Sequence, residues 1–226
     1  MTPFSDPDAV TRYAEGPRRQ VPGYDSLITM TDLLLSEHLP KAARLFILGA
    51  GGGLELSHFA RNHPDWRFTS VDPSAAMLAL ATRTMGPDAA RANLIEGYVN
   101  DAPLRRHDAA TCILTMHFVP VADKLATLQA IRARLKPGAP FIVAHLSIPG
   151  DKAERTVWLD RYAAFAIHNG VPAERAREGA SKIAAELPIL SPAEDEALLQ
   201  EAGFGNVRQF YAGFTFRGWV SQSLQP

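Results

Sequence analysis

The chain has 226 residues, which is enough for one domain with a sizeable core, since domains commonly run to about 100–150 residues. Its 46% hydrophobic and 21% charged residues are ordinary for a globular protein, and a formal net charge of −1 argues against an extended nucleic-acid-binding surface. No apolar run reaches the roughly 18 residues of a membrane span, no signal peptide is recognisable, and the single cysteine, Cys112, cannot form an internal disulfide, so we expect a cytoplasmic protein that does not enter a membrane.

Residues 1–43 precede the first predicted core strand and contain two helical patterns, at 6–16 and 24–38, divided by Gly-Pro and Pro-Gly pairs. The second pattern has a broad apolar face that must pack against something. We therefore predict an amino-terminal helical lid. Tyr13 and Tyr24 lie in it, and a tyrosine combines an apolar ring with a polar hydroxyl, which suits either half-buried packing or a pocket wall.

From residue 44 to 146 strands alternate with helices, which is typical of a parallel sheet covered on both faces. The predicted strands are 44–49, 67–71, 93–97, 109–115 and 139–146, and the predicted helices lie near 53–63, 74–85 and 122–135. The proline-containing link at 98–108 is short, so we expect a turn there instead of a helix.

A glycine-rich turn, Gly49-Ala-Gly51-Gly-Gly53, follows the first strand and opens the first core helix. We expect Gly49 to leave the strand at a positive φ, Gly51 to let a ligand approach the main chain, and Gly53 to let helix and strand pack closely. The free amides at the start of a helix attract carboxylates and phosphates. Alone, the motif is equally consistent with a tight strand-to-helix connection.

Asp72 ends the second strand, about 20 residues after the glycines, where this kind of fold places a carboxylate that accepts the ribose hydroxyls of a nucleotide. The alternative is a residue at the start of the next helix, for which Ser74 is a suitable cap. The glycine turn and Asp72 together favour the ribose role. The dinucleotide fingerprint requires a small residue at position 54, where this chain has Leu54.

The G-x-G-x-G pattern at 49–53 with the acid after the second strand resembles the class I S-adenosylmethionine-dependent methyltransferases. The resemblance extends to Leu135-Lys-Pro-Gly138 and to a terminal strand pair. It is closer to one branch, the carboxy-S-adenosylmethionine synthases that serve wobble-uridine modification in tRNA. That likeness rests on Arg19-Gln-Val-Pro-Gly-Tyr24, His168-Asn-Gly170 and Ala202-Gly-Phe204.

The resemblance implies a Rossmann-like α/β fold with a seven-stranded, mostly parallel sheet, a carboxyl-terminal antiparallel hairpin and a helical lid, all in a single domain covering residues 1–226. It implies S-adenosyl-L-methionine as cofactor, S-adenosyl-L-homocysteine as product and a small-molecule substrate, with a homodimer as a possible assembly. The cofactor-binding residues implied are Tyr24, Gly49, Ala50, Gly51, Gly53, Asp72, Pro73, Tyr98, Val99, Met116 and His117.

The ends of the third, fourth and fifth strands carry the remaining candidates. Related methyltransferases usually hold the adenine amino group with an acid where this chain has Tyr98. Adenine is therefore expected to be held by stacking, by the Val99 backbone or by Asp101. His117 and His145 follow the next two strands, and an imidazole titrates near neutrality. Each is either a catalytic general base or a histidine bonded within a loop.

An insertion at 150–190 interrupts the alternation where the family builds its acceptor pocket. Trp158, Tyr162 and Phe165 are three and four residues apart and share one helix face, which indicates either a packed core or a substrate pocket. With Tyr13 and Arg19, they are the predicted substrate-binding residues. No grouping of histidine, cysteine and carboxylate has metal-ligand spacing, so no metal site is predicted.

Three departures from the family separate the alternatives. Ile47 replaces the acid two residues before the first glycine, Ala180 stands where the carboxy-S-adenosylmethionine synthases use an arginine to hold the extra carboxylate, and Ile113 replaces an asparagine. A carboxylate without its guanidinium loses charge-assisted hydrogen bonds. We therefore predict plain methyl transfer. The alternatives are carboxy-S-adenosylmethionine synthesis, a nicotinamide oxidoreductase and a non-catalytic S-adenosylmethionine-binding module.

Overall fold

The computed structural model describes residues 15–224, in which it places seven strands and eight α-helices. The strands are β1 (Arg44–Leu48), β2 (Arg67–Asp72), β3 (Ala92–Glu96), β4 (Ala109–Ile113), β5 (Pro140–Leu146), β6 (Phe204–Gly213) and β7 (Phe216–Ser223). The helices are α1 (Gly16–Gln20), α2 (Tyr24–Ser36), α3 (Leu54–Asn62), α4 (Ala75–Met85), α5 (Val121–Ala133), α6 (Lys152–His168), α7 (Ala173–Glu186) and α8 (Pro192–Glu201).

All seven strands form one sheet in the order β3-β2-β1-β4-β5-β7-β6. Strands β1 to β5 are parallel, whereas β7 runs antiparallel between β5 and β6. The predicted mixed sheet with a terminal hairpin is thus confirmed. The strand order reverses between β1 and β4, so the crevice at which such sheets bind ligands lies at the carboxyl ends of these two strands.

The predicted core elements agree with the structure to within two residues at nearly every boundary. The fourth strand ends at Ile113, two residues earlier than predicted, because Leu114 has a φ of 57° and leaves the extended conformation. Its amide still donates to the Ala144 carbonyl, at 2.6 Å. The short link after β3 contains only a single 3₁₀ turn, Val99–Asp101, as expected.

Helices cover both faces of the sheet, which gives two hydrophobic layers. One layer joins Leu45 and Ile47 of β1 to α2, α3, α6 and α7. The other joins Phe46 and Leu48 to α5, α8 and the fully buried Trp219 of β7. Strands buried on both faces explain why the core sequence has continuous apolar runs instead of alternation.

The amino-terminal segment differs from the prediction at Gly16-Pro17, which we expected to separate two helices. Helix α1 begins there, because proline at the first turn of a helix loses no hydrogen bond. The predicted helix at 6–16 lies almost wholly outside the described residues, and Tyr13 lies outside them too. Helix α2 packs its buried face into the first hydrophobic layer.

One buried carboxylate, Asp32 of α2, joins the amino-terminal segment to the core. It receives His63 Nε2 at 2.5 Å, Asn62 Nδ2 at 2.7 Å and His58 Nε2 at 3.1 Å, all from α3 and the turn after it. Hydrogen bonds to a carboxylate are among the stronger ones. Asp32 therefore fixes α2 beside the helix that follows the glycine turn.

None of the helices between residues 15 and 224 combines the length and the apolar character that crossing a membrane requires.

Candidate functional site

The glycine turn at the end of β1 has a left-handed backbone, with φ values of 91°, 51°, 63° and 84° for Gly49, Gly51, Gly52 and Gly53. A Cβ atom on Gly49 would lie 3.0 Å from the Thr115 Cβ and closer still to its hydroxyl, so no side chain fits there. Four left-handed residues within five positions leave few side chains other than glycine unstrained. The turn thus lacks side chains at Gly49 and Gly51, of which Gly51 alone is partly exposed, and the approach of a ligand to its main chain remains a prediction.

Gly53 serves a different contact from the one expected. A Cβ atom there would lie 2.7 Å from the Ala81 Cα, so the residue allows α3 to approach α4. The prediction that it serves packing between helix and strand is wrong. The physical reason is the sharpness of the turn, which brings the start of α3 over the middle of the next helix along the sheet.

Asp72 lies at the end of β2 beside this turn. Its Oδ2 accepts the Ala50 amide at 3.0 Å and its Oδ1 accepts the Ser74 amide at 2.9 Å. Burial raises the pKa of its carboxyl, and the amides of Ser74, Ala50 and Gly51 oppose that shift. The Ser74 Oγ, which accepts the Met77 amide, caps α4, so Asp72 is not that cap. A carboxylate has about four lone-pair sites, so acceptor capacity remains for a ligand.

The end of β3 places Tyr98 in solvent, with 70% of its surface exposed. Asp101 is committed locally, because its Oδ2 accepts the Tyr98 amide at 2.7 Å. Val99 is buried in the second hydrophobic layer. Among the three alternatives for adenine, the structure thus leaves the Tyr98 ring and the Val99 backbone available and makes Asp101 the weakest. Pro73, the remaining cofactor candidate near this crevice, is exposed beside Asp72.

The end of β4 forms a 3₁₀ turn, Met116–Phe118, whose buried members are Met116 and His117. A buried lysine supports this turn from α5, since Lys124 Nζ donates to the Met116 carbonyl at 2.6 Å. His117 Nδ1 accepts the Leu146 amide at 3.3 Å. Burial, together with nearby His145 and Lys124, holds the pKa of His117 well below its ordinary value.

These contacts define what the two predicted catalytic histidines can do. A neutral His117 that accepts at Nδ1 carries its proton on Nε2, so it offers a donor more readily than a base. His145 Nδ1 donates to the Leu146 carbonyl at 2.8 Å, and its Nε2 lies 3.6 Å from the Asp195 Oδ1. Burial lowers the pKa of His145 and raises that of Asp195. His145 thus belongs to an interior network, and the base role remains a prediction for both.

The predicted substrate-binding residues lie in different surroundings. Tyr162 is buried, 6.2 Å from the Phe216 ring, and burial raises the pKa of its hydroxyl to about 12. Phe165 meets Phe214 edge-on at 6.1 Å. The aromatic face of α6 therefore packs on the β6–β7 hairpin.

The two other described substrate candidates, Trp158 and Arg19, each contact a charged side chain. Trp158 lies under the guanidinium groups of Arg161 and Arg217, at 4.4 and 5.5 Å. Arg19 is exposed and bonds to Glu15 at 2.7 Å. Tyr24, the amino-terminal cofactor candidate, is buried with the Arg18 guanidinium 5.9 Å from its ring.

Three buried charged residues near these strand ends do not appear among the sequence-based candidates: Glu55, Lys124 and Asp195. Each lies four residues before a buried apolar residue of the same helix, namely Phe59, Leu128 and Leu199. This spacing puts each charged residue on the apolar face of its helix, so the sequence already contained a signal that these charges are buried.

No group of three or more potential metal ligands occurs in the part of the chain that the structure describes.

Glu55 is the most unusual of the three. It lies in the first turn of α3, only 6% exposed, and its Oε1 has no hydrogen-bond partner among the described residues. Burial raises its carboxyl pKa to about 7, and Thr111 opposes the shift. Buried hydroxyls of Ser70 and Thr111 are unpartnered as well, and both residues are in register with Ile47. Buried polar groups therefore flank β1 on both neighbouring strands, and Thr111 is close enough to Glu55 to affect its pKa.

We expect Glu55→Gln to stabilise the protein at pH 8 far more than at pH 5. Above pH 4.5 the unfolded chain releases the Glu55 proton, whereas the folded protein keeps it up to about pH 7. Stability is therefore lost as the pH rises through this window, by about 3 kcal/mol at most, and the amide removes that loss. Urea unfolding at both pH values measures it, with the exposed Glu178→Gln as control. An equal effect at both pH values would contradict the assigned protonation.

The chain is similar to known proteins in both sequence and fold. Residues 46–141 match the methyltransferase domain family. The carboxy-S-adenosyl-L-methionine synthase of Chromohalobacter salexigens is 28% identical over 223 residues, which cover 96% of this chain and 82% of the relative. The enzyme of the same name from Klebsiella pneumoniae subsp. pneumoniae is 24% identical over 210 residues, covering 90% and 84% of the two chains.

Solved structures share the fold at lower identity. The 1,6-didemethyltoxoflavin-N1-methyltransferase of Burkholderia thailandensis superimposes with a TM-score of 0.62 and 18% identity, covering 96% of this chain and 86% of that one. Human N-acetylserotonin methyltransferase gives 0.59 and 16%, covering 99% and 61%. The fold and the matched domain make the chain similar to the class I S-adenosylmethionine-dependent methyltransferases. Within that class it is similar, over most of its length, to the carboxy-S-adenosyl-L-methionine synthases.

Proposed function

We propose that the protein transfers an unmodified methyl group from S-adenosylmethionine to a small-molecule acceptor. The left-handed glycine turn and Asp72 support the cofactor, because they lie together at the carboxyl ends of β1 and β2 beside the reversal of strand order. The observation that favours plain methyl transfer is the identity of one buried residue, Ala180 of α7.

The residues around this crevice fit the cofactor. Main chain without side chains at Gly49 and Gly51 allows close approach, and Asp72 retains lone pairs for two ribose hydroxyls. The exposed Tyr98 ring offers a stacking surface for adenine. When bound, S-adenosylmethionine supplies a methyl group activated by its positively charged sulfur.

Glu55 is the group best suited to the cofactor's ammonium. Ile47 deprives the crevice of the usual acid, and Glu55 lies close to Thr111, which is the register partner of Ile47. An unpartnered buried carboxyl oxygen attracts a cationic donor, and ionisation of Glu55 on binding would compensate the ammonium charge. This assignment explains why a buried acid persists below the glycine turn.

On the acceptor side the protein contributes positioning and exclusion of water. The turn Met116–Phe118 is fixed from below by Lys124 and from the side by the Leu146 amide, so its main chain is held in one conformation. Methyl transfer in line with the sulfur needs orientation more than proton transfer. This requirement is consistent with a neutral His117 that carries its proton on Nε2.

A second candidate is carboxy-S-adenosylmethionine synthesis, which the names of the relatives favour. That chemistry leaves an additional carboxylate in the site. Ala180 and Ile113 are both buried and offer no donor to such a group. Burying an unpaired carboxylate costs several kcal/mol, so we place methyl transfer first.

We expect no consumption of prephenate when it is incubated with the protein and S-adenosylmethionine. Mass spectrometry of the products and of the ligand released from the purified protein would then show only unmodified cofactor. A carboxy-S-adenosylmethionine synthase, assayed in parallel, is the positive control. Appearance of phenylpyruvate and a carboxylated cofactor would instead establish the second candidate. Release of S-adenosylhomocysteine across a panel of small acceptors then identifies the substrate.

A further inference from the structure

A cluster of arginines occupies the amino-terminal edge of the sheet, opposite the glycine turn. Arg44 begins β1 and Arg67 begins β2, while Arg105 and Arg106 lie in the loop shortly before β4. Because these strands are parallel, their first residues converge at one edge. We call the surface formed by these four residues the arginine groove.

Two adjoining cavities lie in this groove, with volumes of about 340 and 320 Å³. Both are lined by Arg44 and Arg67, which therefore form the boundary between them. The first cavity also contains Arg106 and Lys136, and the second contains Arg105 and His107. Each volume is within the range of small-ligand sites, about 300–1,000 Å³.

Two acids, Asp65 and Asp108, line the first cavity together with the arginines, and both are already paired. Asp65 pairs with Lys41 at 3.5 Å, and Asp108 receives Lys136 at 2.5 Å and the Arg44 amide at 2.8 Å. A fifth arginine lining the second cavity, Arg91, is held by Asp88 at 2.8 Å and by three main-chain carbonyls.

The four arginines of the groove are only partly compensated, since Arg44 helps to lower the pKa of the nearby Asp108 carboxyl. None of them forms an ion pair within residues 15–224, and Arg106 alone has a side-chain hydrogen bond, to the Leu135 carbonyl. Four positive charges are thus concentrated in a chain whose formal net charge is −1.

The arrangement also carries an electrostatic cost. Arg44 and Arg67 are register partners in adjacent strands, and like charges directly opposite each other destabilise a sheet. An anion bound between them would remove that repulsion. Guanidinium groups bind phosphate oxygens through paired N–H donors, which makes phosphate the matching chemistry.

We propose that the arginine groove binds a small linear oligophosphate, with Arg44 and Arg67 holding the central phosphate and Arg105 and Arg106 the two ends. The division of the groove into two cavities with shared arginines suits a chain of phosphates that crosses from one to the other. Single-stranded nucleic acid is the less suitable partner, because the aromatic residue lining the groove, Phe68, is only 3% exposed and offers no stacking surface.

Binding of inorganic tripolyphosphate, measured by calorimetry at 50 mM salt, tests the proposal. We expect one site per chain, and a roughly hundredfold loss of affinity in Arg44→Gln/Arg67→Gln, as two charge-assisted contacts would give. The matched control is Arg175→Gln/Arg177→Gln, which removes two exposed arginines of α7. Arg105→Gln, in a loop, should weaken binding without any risk to the strands.

Two further measurements test the repulsion between the arginines and the independence of the arginine groove from the cofactor crevice. Without phosphate, the Arg44/Arg67 variant should melt at an equal or higher temperature than the parent protein at low salt, because repulsion is relieved. Its affinity for S-adenosylhomocysteine should not change, since the crevice lies at the other edge of the sheet. A protein that does not bind S-adenosylmethionine could therefore still bind oligophosphate in the arginine groove, and the two proposals are tested separately.

If Arg44→Gln/Arg67→Gln and Arg175→Gln/Arg177→Gln lose the same affinity for tripolyphosphate, the binding reflects general charge attraction, and the proposal is overturned. Tighter binding of a ten-nucleotide single-stranded RNA than of tripolyphosphate, through the same arginines, would overturn it in favour of a nucleic-acid site. Absence of tripolyphosphate binding at 50 mM salt would also refute it.

Discussion

Replacing Gly51 by valine should abolish the binding of S-adenosylmethionine. Gly51 has a φ of 51° within the turn that follows β1, and a β-branched residue is strained in that region. Its two methyl groups would also project where a ligand must approach the main chain. Calorimetry with S-adenosylmethionine and S-adenosylhomocysteine measures the loss.

The control for this substitution is Gly150→Val, at an exposed glycine that has no positive φ and no atom within 4 Å of the position that a Cβ would occupy. Gly51→Ala adds the backbone strain with little bulk, so its affinity should fall between those of the parent protein and Gly51→Val. If a Gly51→Val protein that still unfolds cooperatively binds the cofactor normally, the ligand lies elsewhere.

Replacing Asp72 by alanine should weaken cofactor binding by about 1.5–3 kcal/mol, or roughly 10- to 150-fold. Two effects contribute. The ribose hydroxyls lose their acceptor, and the amides of Ala50 and Ser74, now held at 3.0 and 2.9 Å, lose theirs, so the turn itself loosens. Calorimetry gives the affinity, and thermal unfolding gives the share due to the turn.

Glu178→Ala is the control, because it removes an exposed acid from α7. Asp72→Asn separates the two contributions, since its carbonyl still accepts one amide but its NH₂ group opposes the other. Unchanged affinity in folded Asp72→Ala would remove the carboxylate from the site and leave it a purely structural role in the turn.

The local parts of the candidate site could be predicted because they depend on neighbouring residues. Glycine is the residue that adopts the φ values at Gly49 and Gly51 with least strain, and the acid at the end of the second strand is a single residue. The same holds for the succession of strands and helices, which apolar runs and helical spacing predict. The predictions were wrong at Gly16-Pro17 and at Gly53. Proline can end one helix or begin the next, and glycine can allow a helix to approach either a strand or another helix, and local spacing does not distinguish these roles.

The buried charges show why the remainder needed the tertiary structure. Spacing puts Glu55, Lys124 and Asp195 on apolar helix faces, but periodicity cannot say that α5 and α8 lie on the same side of the sheet. Lys124 approaches the Met116 carbonyl only because α5 packs below the turn that follows β4. The low pKa of His117 likewise comes from burial by elements distant in sequence.

The sequence by itself therefore determined the order of elements, the glycine turn and the position of Asp72 at the end of β2, because each is encoded within a single βα unit or two adjacent ones. Only the tertiary structure decided which helix meets Gly53, which face of α6 packs on the hairpin, and that four arginines scattered over the chain converge at one sheet edge. The physical reason is that strand order and register fix such distances, and neither is contained in local spacing.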